Sequence, residues 1–524
     1  MLARRTETAR TAAAVQPAGV TNGWRAFLAL MPIVLSGMVY GPILQNYFIY
    51  DDFLHLYNLA NNGLIQFLLT PHGGHLLVLR NLIFYACYRL FGLAPLGYFV
   101  LVLLTHLANV CLLFLVIRRL TGNPFLASGG AALWGVLPAN EASLGWYSVY
   151  GNVLVTTIAL WLLYDLVRLA ETRRPVSGLR LATWCLLLLA GMTCFGVGIA
   201  LAMTFCVVAY LFLADSPDRN KATVVLFALT ICVPIVYVGL YHLYTAISGD
   251  TGTNAAAFLS QILNWRLNAE MLGELLAYGT SSLVIPHPCT PDGGMPLCYT
   301  FLALCAAGVA ALFACVSGRI RRTLLALTLL LGATYASIAI GRALFTVVMI
   351  GRAVAWSATH ARYHYLGPAI IAIILCLMLD EFSRLVFKSR LRQVAVAVAL
   401  GAPLLVQLVL HQPIDHHDPA RAETYSVLDR LDLFAQQVPE GGDVCIRNRP
   451  FQSIGGFLAQ DPASFPGWAG VFAITHPVNT IDGRTVHFIE ADPRVLRAAR
   501  ANPQRRAARL FVSADRLPPG CRIF

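Results

Sequence analysis

The stretch FLALMPIVLSGMVYGPIL, Phe27 to Leu44, carries no charge, and it runs directly into QNYFIYDDFLHL, Gln45 to Leu56, which holds two adjacent carboxylates. An uncharged apolar run of this length is what a helix needs to cross the hydrocarbon core of a bilayer. Arg4, Arg5, Arg10 and Arg25 stand ahead of it and no small-residue cleavage site follows, so it reads as an uncleaved signal anchor with its N-terminus inside. Asp51 and Asp52 then fall at its outer end.

Similar runs recur along the chain. Of the 524 residues 57% are apolar and 12% charged, and the apolar residues come in long blocks rather than in amphipathic or dyad patterns. This excludes an ordinary soluble enzyme and a membrane β-barrel and predicts an all-α polytopic membrane protein. After the first span, helices are expected at 96–117, 124–139, 152–169, 181–194, 196–214, 222–246, 297–317, 323–345, 363–383 and 393–411, eleven spans in all. The segment 181–214 holds two only if the turn sits near Thr193 to Gly198.

The net charge of +12 does not indicate nucleic acid, because Lys and Arg sit in short clusters between the spans rather than on one basic face. These clusters (Arg118 and Arg119; Arg173, Arg174 and Arg180; Arg219 and Lys221; Arg319, Arg321 and Arg322; Lys388, Arg390 and Arg392) all fall on one side of an eleven-span topology. The positive-inside rule makes that side cytoplasmic in an inner-membrane protein. Residues 47–95, 140–151, 247–296 and 346–362 are then outside, together with the tail from Gln412. Residues 1–411 form the expected membrane domain. Residues 412–524 read as a small periplasmic α/β domain, with β-like runs VCIRN, VFAIT, TVHFIE and RLFVSA and helix-like SVLDRLDLFAQQ and RVLRAARA.

Nine of the 13 cysteines lie in or beside spans, and Cys289, Cys298, Cys445 and Cys521 lie outside. Those four could form two disulfides in an oxidising compartment, although spacing does not fix their geometry. Residues 53–95 are helical in pattern but interrupted by polar residues and by the turn TPHGGH. They suit helices lying in the membrane interface, roofing the Asp pair at headgroup depth.

The succession Asp51-Asp52, then GHLLVLRNLIFYACYRLFGLAPLGYFVLVLLTHLANVCLLFLVIRRLTGN (Gly74–Asn123), then LPANEASLGWYSVYGNVL (Leu137–Leu154) resembles the GT-C superfamily of polyprenyl-phosphate-sugar-dependent glycosyltransferases. The multi-span protein O-mannosyltransferases are the most similar branch, and ARYHYLGPA at 361–369 is a weaker element of the same likeness. The family's acidic pair and its Glu-Ala element match Asp51-Asp52 and Glu141-Ala142. Asn81 follows Arg80 where the family has Pro, Leu137 stands where it has His, and no tetratricopeptide repeat follows. The resemblance implies sugar transfer on the outer face from a polyprenyl-phosphate donor to a glycan, lipid or protein acceptor. The lipid bilayer is a partner and nucleic acid is not.

Such a transfer needs a base for the acceptor hydroxyl and cations for the departing phosphate. Asp51 and Asp52 are the base candidates, with a slight preference for Asp52; a solvated helix end is the plainer reading of the pair. For the phosphate, Arg362 with Tyr363 and Tyr365 leads, followed by Arg352 and Arg80, although an Arg at a span end can simply snorkel. Glu141, His75 and Trp146 are the candidate acceptor or sugar contacts, against an aromatic belt and polar loop residues as the alternative. No cofactor is certain. A divalent metal would draw on His72 and His75 with an Asp, or on His360 and His364, but loop histidines bonding to headgroups are simpler and no metal site is assigned. The main rival from another class is a secondary transporter or a flippase of envelope glycolipids, which would place ionisable groups near the bilayer midplane. A non-catalytic assembly factor would not need so many spans.

Overall fold

The computed structural model describes residues 22–72, 75–248, 260–286, 289, 295–387, 389–410, 419–449, 467–476, 478–501, 506–513 and 517–524. Arg4, Arg5, Arg10, Lys388 and the run HQPIDHHD at 411–418 lie outside the described residues.

The chain opens with α1 (Asn22–Tyr40), followed by the short helices α2 (Asp51–Asn61), α3 (Leu64–Leu69) and α4 (Val78–Phe91). Next come α5 (Pro95–Thr121), α6 (Pro124–Gly135), the single turn α7 (Glu141–Leu144), α8 (Tyr150–Thr172), α9 (Gly178–Met192), α10 (Gly196–Phe212) and α11 (Arg219–Ser248). Then follow α12 (Trp265–Ser282), α13 (Pro296–Cys315), α14 (Gly318–Phe345), the short α15 (Val354–Ala358), α16 (Leu366–Val386) and α17 (Ser389–Val409). Every predicted span is a helix. Seven of these, α1, α5, α8, α11, α13, α14 and α17, are long and apolar enough to cross a membrane. Helices α6, α9 and α10 are shorter, at 12, 15 and 17 residues, and α16 is buried along most of its length.

Local chemistry sets the joints. Gly122 takes the left-handed conformation (φ 70°) that ends α5, and the Asn123 side chain accepts from the Phe125 and Leu126 amides while Pro124 opens α6. The divided segment turns at Thr193–Phe195, where Gly198 lies so close to the Gly191 carbonyl that a side chain would not fit. Inside the bundle, buried polar groups pair across helices: His106 Nδ1 meets the Tyr365 hydroxyl at 2.8 Å, and Trp134 Nε1 donates to the Tyr365 carbonyl at 3.0 Å. In hydrocarbon such groups must find partners within the protein.

Ion pairs and capping bonds gather the Arg-rich joints at one end of the bundle. Arg119 meets Glu171 at 2.8 Å, Arg384 reaches the Thr121 carbonyl at 3.2 Å, Asp218 accepts from the Val176 amide at 2.8 Å, and Arg322 meets Asp215 at 2.9 Å. Asp380 takes both Arg384 and Arg392 at 2.6 Å. Helix α12 falls within a stretch read as outer loop, and packs against α13 and α14 beside the Cys289–Cys298 disulfide.

The C-terminal region holds α18 (Pro419–Gln436), α19 (Gly467–Thr475), α20 (Pro493–Ala501) and a five-stranded sheet: β1 (Asp443–Arg447), β2 (Thr480–Ile481), β3 (Arg484–Ile489), β4 (Phe511–Val512) and β5 (Arg522–Ile523). Strand β1 pairs in parallel with β3 and β5, β3 pairs in parallel with β4, and β2 joins β3 as a hairpin. Its turn, Asp482-Gly483, has φ of 48° and 76°, the positive values a tight hairpin requires. The Cys445–Cys521 disulfide ties β1 to the residue preceding β5. VFAIT, expected as a strand, is the body of α19, which packs against α2. Its neighbours decide its conformation over the strand preference of its residue types.

Candidate active site

Asp51 and Asp52 open α2, where the N-terminal peptide dipoles favour carboxylates. The residue before them, Tyr50, holds φ at 47°, a strained backbone for a non-glycine residue. As consecutive residues in a first helical turn, the two side chains diverge. Asp52 is fully buried: its Oδ1 accepts from the Ser148 amide at 2.6 Å and the Ser148 hydroxyl at 2.5 Å, and its Oδ2 accepts from the Ile49 amide at 3.1 Å. Burial pushes its carboxyl up to about 7 against those three donors. The Asp51 side chain stays 25% exposed and meets His72 Nε2 at 2.9 Å. Burial alone would raise its carboxyl, but the His72 imidazole, with Arg362 and Arg80, more than offsets this and holds it below the ordinary range. Asp51 is therefore ionised at neutral pH.

The pairing of His72 with His75 rests on reciprocal backbone bonds, at 2.8 and 3.0 Å. It sets the His72 ring 4.4 Å from that of His55 and rests the His75 ring on Phe195 and Gly196. Burial and the neighbouring cations hold the His55 and His75 imidazoles well below their usual range, His75 at about 3. Both are neutral. His55 Nε2 pairs with Nη2 of Arg80 at 3.0 Å, so that nitrogen is the acceptor. Arg80 is completely buried on α4, and its Nε and Nη1 donors have no partner among the described residues. Burial lowers Arg80 to about 10, which leaves it a cation with two donors unused.

Two more guanidinium groups complete the cluster. Arg362 lies over the rings of Trp146 (5.4 Å) and Tyr363 (5.1 Å) and donates to the Tyr363 hydroxyl at 3.2 Å. Asn152 holds the Arg362 carbonyl at 2.9 Å. Arg342, in the last turn of α14, acts on both Tyr363 and His75. Burial would raise the Tyr363 phenol, but Arg342 and Arg362 outweigh it and hold the phenol below its usual range. Arg80, Arg342 and Arg362 thus bring three guanidinium groups around Asp51, His75 and Tyr363. Such a site suits a phosphate whose negative charge grows as it departs.

Known proteins offer little to set beside this geometry. No family model matches the chain, and no curated protein does. Among solved structures it is similar to the crystal structure of ArnT from Cupriavidus metallidurans bound to undecaprenyl phosphate, at 13% identity over 94% of this chain and 90% of that one, with a TM-score of 0.38. So loose a likeness transfers no residue role.

Of the sequence candidates, Asp51, Asp52, Arg80, His75, Trp146, Arg362 and Tyr363 come together. Glu141 opens α7, which packs on the turn that holds Arg362, and it lies near Tyr40. Tyr365 is turned away, its hydroxyl held by His106 inside the bundle. Arg352 is exposed, and no described contact ties it to the cluster. His360 bonds to the Trp356 carbonyl at 2.5 Å, and His364 to Tyr335 (3.0 Å) and the Ala358 carbonyl (2.7 Å), so that pair is turned to its own neighbours. No group of three or more ligating side chains suited to a metal occurs among the described residues. Sequence reading missed Arg342, hidden at the end of an apolar span, and Ser148, which binds Asp52; the signal for Arg342 was a lone cation in the last turn of that span.

Proposed function

We propose that this protein is an inner-membrane glycosyltransferase that takes a sugar from a polyprenyl-phosphate donor and passes it to an acceptor hydroxyl on the periplasmic face. The observation that carries this reading is the convergence of an ionised, partly exposed Asp51 with Arg80, Arg342 and Arg362 at one end of the helical bundle. The sequence resemblance to the GT-C superfamily points the same way.

In this reading Asp51, rather than Asp52, is the general base. Both Asp52 oxygens are occupied by the protein's own donors, so Asp52 fixes α2 in place. Asp51 removes the acceptor's hydroxyl proton, the oxygen attacks the anomeric carbon, and the bond from that carbon to the phosphate oxygen breaks. The polyprenyl phosphate leaves with the electron pair. Its second negative charge develops against the unused Arg80 donors and the Arg342–Arg362 pair, which bind phosphate in a geometry that Lys does not reproduce. The Trp146 indole offers an aromatic surface to the sugar. In this reading the N-terminus is cytoplasmic and the C-terminal sheet periplasmic, the side assignment that the Arg-rich joints favour.

The test is turnover. Purified protein incubated with a panel of polyprenyl-phosphate sugars should release polyprenyl phosphate from at least one of them, and release should require the Asp51 carboxylate. Ion-coupled or flippase-type movement of glycolipid in vesicles, with no donor cleaved, would refute the reading.

A further inference from the structure

The C-terminal sheet region contains a concavity of about 280 Å³, away from the Asp51 cluster in sequence. Arg430 from α18, Arg447 at the end of β1 and Arg449 two residues on line it, together with Phe434, Trp468 and Phe524. Among the described residues no Asp or Glu side chain lines it. The three guanidinium groups make no ion pair among the described residues, while Asp443 pairs with His487 at 2.8 Å, Glu490 accepts from Asn448 at 2.5 Å and Asp492 pairs with Arg494 at 2.8 Å. Three like charges around one cavity give it a potential that favours an anion.

The aromatic component is equally specific. Phe434 and Phe524 stack at 4.7 Å, and Arg449 lies over Trp468 at 5.5 Å. Flat apolar surfaces beside planar, bidentate cation donors match a ring with one apolar face and a pendant carboxylate or phosphate. Trp468 also lies on α19, the helix that packs against α2, so the cavity and the Asp51–Asp52 helix share a wall.

We propose that this concavity binds an anionic saccharide, bearing a uronate or a sugar phosphate, and that the saccharide is the acceptor glycan. The acceptor role rests on the glycosyltransferase reading; the binding does not. A free glycan and a lipid-linked one present the same chemistry here.

Binding of tetragalacturonate, of the neutral maltotetraose, of glucose 1-phosphate and of a lipid-linked uronate is measured by calorimetry on the full chain in phosphatidylcholine nanodiscs. Saturable binding of the acidic sugars is expected, about tenfold or more tighter than maltotetraose and weakened by salt. The Arg430→Ala/Arg447→Ala double variant should lose about tenfold or more of that affinity with its thermal midpoint unchanged, since both side chains are exposed. Asp51→Asn should bind acidic sugar like the wild type whether or not the protein is a glycosyltransferase, so a failure of the enzymatic reading is seen separately. Tighter binding of the lipid-linked uronate than of the free tetramer would identify the lipid-linked form as the ligand. Equal affinity for neutral and acidic sugars, wild-type affinity in the double variant, or displacement of acidic sugar by phosphatidylglycerol, which marks a lipid-headgroup site, would each overturn the proposal.

Discussion

Replacing Asp51 and Asp52 one at a time should produce opposite kinds of damage. Asp52→Ala strands the Ile49 amide, the Ser148 amide and the Ser148 hydroxyl in a fully buried site. The hydroxyl can rotate toward another acceptor, but the two amides cannot, and at about 1–3 kcal/mol for each buried unmet donor the loss is about 2–6 kcal/mol. Asp52→Asn keeps one acceptor oxygen but turns an NH2 toward a donor, so it should fall between Ala and the wild type. Ser148→Ala removes one bond and should cost about 1–2 kcal/mol. Asp51→Asn gives up one partly exposed contact to His72 and should cost about 1 kcal/mol or less. Turnover should show the reverse order: Asp51→Asn loses about 100- to 10,000-fold as a general base would, whereas Ser148→Ala, once folded, retains most of its activity. The assays are thermal unfolding in detergent and release of polyprenyl phosphate, each on all four variants. Unimpaired turnover in Asp51→Asn, or a wild-type thermal midpoint in Asp52→Ala, would refute this division of roles.

Arg362→Lys should weaken donor binding, and Arg362→Ala should weaken it further, by about 1.5–3 kcal/mol for one lost charge-assisted bond; free substitution by Lys in a donor-affinity titration would mean that Arg362 only snorkels. Arg342→Ala should raise the Tyr363 phenol toward the range burial alone would give, and ultraviolet titration of the tyrosinates, with Tyr363→Phe as reference, checks this. Stability should rise with pH between about 5 and 6.5, because the unfolded chain protonates His55, His75 and His364 there while burial keeps all three neutral in the fold. Asp52 opposes this, since its raised folded value means that the native state holds its proton until about 7, and thermal unfolding across that range should show a slope that His55→Gln reduces. Cysteines placed at 430 and 390 should differ in labelling by an impermeant reagent, the first labelled in intact cells and the second only after lysis; the reverse pattern would invert the proposed orientation.

The helices were legible because the long uncharged runs admit few other folds, and the Thr193 turn was legible because a single helix over 181–214 would break the charge parity of the joints that follow. Three-dimensional direction was not. Tyr363 and Tyr365 read alike, yet they lie on either side of the change from a 3₁₀ turn at Ala361–Tyr363 to α16, so one faces the arginines and the other His106. VFAIT reads as a strand from its residue types and is a helix because of what it packs on. Arg342 reads as part of an apolar span, since a periodicity argument cannot tell which helix end meets a loop that returns from elsewhere.

The adjacency of Asp51 and Asp52, which sequence could only register, has a structural reason. Consecutive residues on a helix point about 100° apart, so a pair at its first turn can send one side chain inward and leave the other at the surface. Asp52 uses the inward direction to fasten α2 to the turn at Tyr147–Val149, the same turn that follows Trp146 and thereby positions the ring beneath Arg362. Asp51 uses the outward direction and faces His72. The base candidate, the sugar surface and a phosphate cation are thus referred to one fastening point. Helix α19 packs on this same α2, so the C-terminal region touches the helix that carries both carboxylates.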